Sequence, residues 1–185
     1  MYEQASFSDN MRNVPHWYAL YTRPRFEKKV DSILQEKRLE SYLPLQTTLR
    51  RWSDRWKKIT EPLFSCYVFV RIPLREKVLA IQTRGVVRMV MFNSTPSPIP
   101  DFEIYTLKNI LQKTDRIEPV PYLKIGQMVE VVNGPFEGIR GRLIEQRGRK
   151  KLVVGIEQLK QAISIEVNAF DLRLVTDQSG KAKGA

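Results

Sequence analysis

The sequence predicts an α+β protein, with a helix-flanked, largely antiparallel sheet followed by a small five-stranded SH3-like β-barrel. Three observations predict it. Apolar residues recur at helical spacing in two places, Phe26, Val30, Ile33 and Leu34, then Ile104, Leu107, Ile110 and Leu111. Between these stripes lie short runs rich in aromatic and β-branched residues, the pattern of strands. After residue 121 only short strand-like runs remain, separated by Gly and Asn, which suits a small closed sheet.

Residues 1–14 are polar, lack periodicity and read as a flexible N-terminus. Trp17–Thr22 reads as the first strand of a domain spanning 15–113. Thr22 and Pro24 are suited to cap and open a helix that runs to about Leu39, with Lys28, Lys29, Glu36 and Lys37 on its polar face. Leu43–Trp52 and Lys57–Leu63 read as a ragged hairpin around Ser53-Asp54-Arg55. Cys66–Ile72 is almost continuously apolar, as a central strand is. A short helix follows over Arg75–Arg84, Gly85 ends it, and Val86–Phe92 reads as another strand. Asn93–Pro100 is a Pro/Ser loop before the closing helix. The segment 114–121, with Pro119 and Pro121, reads as a linker.

The barrel is expected over 122–176, in strands Gln127–Asn133, Arg140–Arg147, Lys150–Gln158, Ile163–Val167 and Asp171–Val175, with a frayed tail at 177–185. Asn133-Gly134-Pro135 stops its first strand, because Gly accepts a positive φ and Pro has no N–H to give a ladder. Gly138 and Gly141 let the next strand begin close by. Phe136 is left at the loop tip, where it either plugs the barrel end or is offered to a partner.

The formal net charge is +11, and residues 1–116 hold 20 Lys/Arg against 12 Asp/Glu. That field favours a polyanionic partner. One histidine, His16, and one cysteine, Cys66, leave no His-based dyad, no metal cluster and no internal disulfide. No Gly-rich phosphate loop is present, since Arg147-Gly148-Arg149-Lys150 lacks the helix such a loop precedes. The expectation is a non-enzymatic, cofactor-free chain. A single cysteine and the lack of an apolar leader or an 18-residue apolar stretch point to the cytoplasm, away from membranes.

Gly126–Arg142 resembles a KOW motif. With Trp17-Tyr18-x-x-Tyr21, Glu61-Pro62-Leu63-Phe64-x-x-Tyr67-x-Phe69-Val70 and Thr83-Arg84-Gly85-Val86 in that order, the chain resembles the NusG family of transcription elongation factors over about 16–175. It is most similar to the specialised RfaH-like and UpxY-like branch. The resemblance implies an N-terminal (NGN) domain that docks as a monomer on the clamp helices of the large RNA polymerase subunit. Tyr21, Phe64, Tyr67, Phe69, Val90 and Phe92 would form the apolar pocket. Arg23, Lys29 and Arg84 match a basic face that holds the non-template DNA strand, and Arg88 joins them by strand position alone. Phe136 matches the barrel-loop aromatic through which such proteins recruit the ribosomal protein NusE or the terminator Rho.

Plainer readings stand beside these. The aromatics equally suit a closed core, and Lys29 a solvated helix face. In the hairpin, Arg50, Arg51, Arg55, Lys57 and Lys58 against Asp54 give a net +4 suited to single-stranded nucleic acid, with Trp52 and Trp56 either stacking on bases or packing inward. The departures are Ser65-Cys66 in place of Pro and a small residue, Glu76-Lys77-Val78 in place of a His/Thr-rich polymerase contact, and Ile163-Ser-Ile-Glu-Val167 at the barrel end. A general NusG acting with Rho, or a ribosomal or RNA-binding KOW protein, are the alternatives.

Overall fold

The computed structural model describes residues 12–51, 55–114, 116–121, 126–146 and 148–175. Expectations for 1–11, the hairpin tip at 52–54, Arg147 and the tail from 176 lie outside these residues.

The front sheet has four strands, β1 (His16–Thr22), β2 (Glu40–Tyr42), β5 (Tyr67–Ile72) and β6 (Val86–Met89), in the order β2-β5-β1-β6. β1 and β5 are central and antiparallel, with Tyr18 opposite Val70 and Tyr21 opposite Tyr67. Side chains alternate across a strand. Tyr18, Leu20, Val68, Val70 and Ile72 therefore share one face, where they form a core with Val30 and Leu34 of α1 (Glu27–Glu36). β3 (Leu45–Arg51) and β4 (Trp56–Pro62) pair only with each other, as a separate ribbon.

Several expectations are corrected in detail. Thr22 does not cap α1; its hydroxyl donates to Arg23 O at 3.1 Å, and an Arg23-Pro24-Arg25 turn with Arg25 at φ 65° intervenes. Cys66 precedes β5 in a left-handed turn (φ 67°), held by its N–H donating to the buried Glu27 carboxylate at 2.7 Å. The second helix shrinks to a 3-10 turn, Leu74–Glu76, and α2 (Lys77–Ile81), leaving Val78 and Leu79 exposed. The Val86–Phe92 run breaks at Val90, so Met91–Phe92 (β7) pairs with Thr95–Pro96 (β8) instead of the front sheet. α3 (Asp101–Lys113) buries Ile104, Leu107 and Ile110, the stripe its spacing predicts.

All five expected barrel strands form: β10 (Gln127–Val131), β11 (Arg140–Gln146), β12 (Arg149–Ile156), β13 (Gln161–Glu166) and β14 (Leu172–Leu174). A sixth comes from the segment expected to be a linker. Glu118–Pro121 (β9) pairs antiparallel with β13, and the sheet order is β14-β10-β11-β12-β13-β9. Two prolines are tolerated there because β9 is an edge strand, where missing donors face away from the ladder. Gly141 does permit a close approach, though to β12 and not to β10: a methyl group there would sit 2.6 Å from Val153 O.

Candidate functional site: an aromatic face beside a basic corner

The face of β1 and β5 opposite α1 carries Trp17, Ala19 and Tyr21 beside Phe69 and Tyr67. Tyr21 and Tyr67 meet edge to face with centroids 5.4 Å apart, and the Arg88 guanidinium lies 5.5 Å from the Tyr21 ring centre. Both geometries are attractive, through ring quadrupoles and cation–π contact. Burial, then the neighbouring Tyr21, raises the Tyr67 hydroxyl pKa, while Arg88 pulls it back. Phe64 packs edge to face on Phe69 at 6.3 Å, and Tyr42 stacks on Phe69 from the other side. Lys108 of α3 reaches over both Trp17 and Tyr42 at 4.9 Å.

The six expected pocket residues divide into three groups. Phe92 stands 71% exposed, Tyr21, Tyr67 and Val90 are half-buried, and Phe64 and Phe69 are sealed, at 2% and 0%. An open six-residue pocket is therefore not what this arrangement presents. Phe64 and Phe69 belong to one continuous apolar cluster with Ile104, Leu107 and Ile110 of α3 and with Leu152, Ile156, Leu159 and Ile163 of the barrel.

The barrel approaches this region through the 3-10 turn Glu157–Leu159 and the start of β13. Gln158 Nε2 donates to Pro98 O at 2.9 Å, and Leu159 is 7% exposed. Lys160 and Gln158 border a hollow of about 230 Å³ shared with Val90 and Phe92, and Gln161 borders another shared with Leu63 and Ser65. The turn thus borders the Val90–Phe92 segment, and the start of β13 borders the Leu63–Ser65 segment. A second tie runs from Gln46 Nε2 to Ile117 O at 2.8 Å. Beneath the turn, burial is the main cause raising the Glu103 carboxyl to about 7; the nearby Glu157 charge adds to it, and a hydrogen bond from the Glu157 backbone opposes it.

Two of the four basic residues meet at Gly85. Arg23 N–H donates to Gly85 O at 2.8 Å, which sets Arg23 next to Arg84. Lys29 precedes Val30, whose side chain packs against Gly85. Arg23 and Arg84 are exposed at this corner and Lys29 is exposed on α1, while Arg88 lies apart, exposed on the aromatic side over Tyr21.

In the barrel loop, Gly134 and Gly138 take φ of 86° and 82°, and Gly138 N–H donates to Val131 O at 2.8 Å. Phe136 is half-buried against the core and borders a hollow of about 560 Å³ with Arg116, Arg149, Lys151 and Ser164.

The sequence pattern described as "Transcription termination factor nusG" matches residues 15–108. The chain belongs to the NusG family. It is 28% identical over 172 residues to the transcription termination/antitermination protein NusG of Staphylococcus carnosus, covering 84% of this chain and 92% of that protein. It is 27% identical over 180 residues to NusG of Escherichia coli K12, covering 90% and 96%. A Thermotoga maritima structure titled "Domain interaction in Thermotoga maritima NusG" shares the fold, with a TM-score of 0.52 at 20% identity over 88% of this chain and 98% of that one.

The NusG match ends inside α3, so the aromatic face and the basic corner lie within it and Phe136 lies outside. The chain is a transcription termination/antitermination factor of the NusG family, whose members are not enzymes, and nothing in the site points to catalysis. Among the described residues, no helix is long and apolar enough to cross a membrane. Three residues escaped the sequence reading. Arg25 was visible as part of Arg-Pro-Arg, whereas Lys108 and Glu103 read as ordinary solvated helix positions. Only tertiary contacts mark those two.

Proposed function

We propose that this chain is an elongation and antitermination factor that grips RNA polymerase at the clamp helices through its N-terminal aromatic face. Tyr21, Phe64, Tyr67, Phe69, Val90 and Phe92 supply the apolar contact, in the mode where a groove takes a helix. Arg23, Lys29, Arg84 and Arg88 hold the non-template DNA strand. Phe136 offers the barrel to a second protein, NusE or Rho. By binding the closed clamp better than the open one, the factor shifts the enzyme away from paused states, with no chemistry of its own. A role at selected operons follows from the Glu61–Val70 motif and the altered barrel end.

The observation that carries this reading is the Tyr21–Tyr67–Arg88 cluster, inside the NusG-matched span and flanked by an exposed Phe92. An exposed aromatic beside half-buried ones is a typical hot-spot composition. Phe64 and Phe69 share one buried cluster with α3 and the barrel, so full docking on them also requires that packing to open.

Capture of purified RNA polymerase by the full chain tests it. Phe92→Ala, which removes an exposed ring, is expected to weaken capture by roughly 30-fold, the loss typical of a hot spot, with an unchanged melting temperature. Tyr67→Ala is expected to do likewise. Unchanged capture by both variants overturns the assignment. Readthrough measured across all transcripts then separates selected operons from general action.

A further inference from the structure

The β3–β4 ribbon, whose charge suits single-stranded nucleic acid, has no part in the function proposed above. Its register places Arg51 opposite Trp56, Leu49 opposite Lys58 and Thr47 opposite Thr60. Directly opposed residues in an antiparallel pair share a face, and the Thr47 and Thr60 hydroxyls confirm it by meeting at 3.1 Å. The other face, with Gln46, Thr48, Ile59 and Glu61, is half-buried and leans towards the barrel, where Gln46 bonds Ile117 O.

The outer face is open. Trp56 is 67% exposed and Leu49 61%, and Arg51 and Lys58 are exposed beside them. A large indole held in water on a ribbon edged by cations does not complete a core. Trp56 sits directly across from Arg51 and two residues before Lys58, so a flat apolar ring is bracketed by positive charge. At the ribbon base, Lys28 Nζ donates to Thr60 O at 2.8 Å, and a hollow of about 580 Å³ opens between Arg25 and Lys28 on one side and Thr60 and Glu61 on the other. That hollow leads from the ribbon to the turn carrying Arg23.

We infer that the outer face of this ribbon is a second contact for single-stranded DNA, with Trp56 stacking on a base while Arg51 and Lys58 hold the flanking phosphates. The inference rests on the proposed DNA role of the Arg23–Arg84 corner for its choice of strand, since Arg25 of the Arg23 turn and Thr60 at the ribbon base line one hollow. Stacking on an aromatic is worth ~1–3 kcal/mol per base, and each neutralised phosphate adds ~0.7 to the salt slope of single-strand binding. Glu61 lies on the inner face and in the hollow wall, which keeps the path on the outer side.

The test is fluorescence anisotropy of the full chain with a labelled oligo-dT of about 30 nucleotides, long enough to span several single-strand site sizes, across a salt series. Trp56 is surface-exposed, so Trp56→Ala is expected to fold normally, checked by circular dichroism, and to weaken binding by roughly tenfold. Arg51→Ala combined with Lys58→Ala is expected to lower the salt slope by about 1.4. Loss with Trp56→Ala but not Arg84→Ala supports the ribbon and removes the corner. Loss with Arg84→Ala alone keeps the corner and overturns the ribbon. Unchanged affinity and slope in the ribbon variants, or tighter binding of oligo-U or of duplex DNA than of oligo-dT, overturns the proposal as well.

Discussion

At Gly85 a backbone requirement and a packing requirement coincide. The residue takes φ 102°, where L side chains are strained, and a methyl group there would lie 2.7 Å from Phe26 Cδ1 and 3.0 Å from Val30 Cγ2. Gly134 takes φ 86° in the barrel loop with nothing within 4 Å of the same position. Gly85→Ala is therefore expected to destabilise by ~2–4 kcal/mol, combining strain with overpacking, whereas Gly134→Ala pays only strain, ~1 kcal/mol. Urea unfolding measures both, and equal losses would show that Gly85 is not a packing position. The sequence marks Gly85 as a helix stop, but α2 ends at Ile81. What requires glycine at 85 is the positive φ and the approach of Phe26 and Val30. The role of Glu27 was not legible, because a glutamate at a helix start reads as solvated. Its burial follows from the Cys66 turn, whose N–H would otherwise go unpaired.

Among the elements, those defined by their own periodicity were legible, and those defined by a neighbour were not. β1, α1, α3 and the barrel strands each carry a repeat that names their buried face. β9 carries two prolines and no alternation, and it becomes a strand only because β13 offers an unpaired edge. β7 separates from β6 because it pairs with Thr95–Pro96. The 3-10 turn 157–159 likewise reads as the tail of a strand, yet it borders Val90 and Phe92 of the front domain. Leu159 anchors it. Leu159→Ala is expected to weaken that contact by ~2–3 kcal/mol, the transfer and cavity loss of a buried leucine. Amide exchange at 86–92 and 96–99 should then quicken while the barrel strands keep their protection, and polymerase capture should strengthen. Unaltered exchange at both segments would mean that the turn does not hold the barrel down.

Over the whole molecule, the contact between barrel and front domain carries a proton-dependent weak point. Glu103 projects from α3 into a hollow bounded by Met128, Arg140, Arg142 and β12 residues, and one of its carboxyl oxygens is buried without a hydrogen-bond partner. The groups facing it are few. Glu157 presents a backbone donor and a like charge, Arg140 is turned to Glu130 at 3.3 Å, and Arg142 to Gly126 O at 3.0 Å. With the barrel lifted away, Glu103 is an exposed carboxyl near its ordinary 4.5; in the closed arrangement it rises to about 7. The sign follows by linkage. Below about pH 4.5 the group is protonated in both arrangements and opposes nothing. Between 4.5 and 7 the open form loses its proton first, so closure weakens steadily, and above about 7 the weakening is complete. Each unit of difference is worth about tenfold in the open-to-closed ratio before any discount for solvent reaching the site. A dye pair on the barrel and the front domain is therefore expected to report more closure at pH 5.5 than at pH 7.5. Glu103→Gln, which keeps the shape but cannot ionise, should hold the closed level at both values. A wild-type signal that stays flat across this range, or a Glu103→Gln chain that still responds, would place the raised carboxyl outside the domain equilibrium.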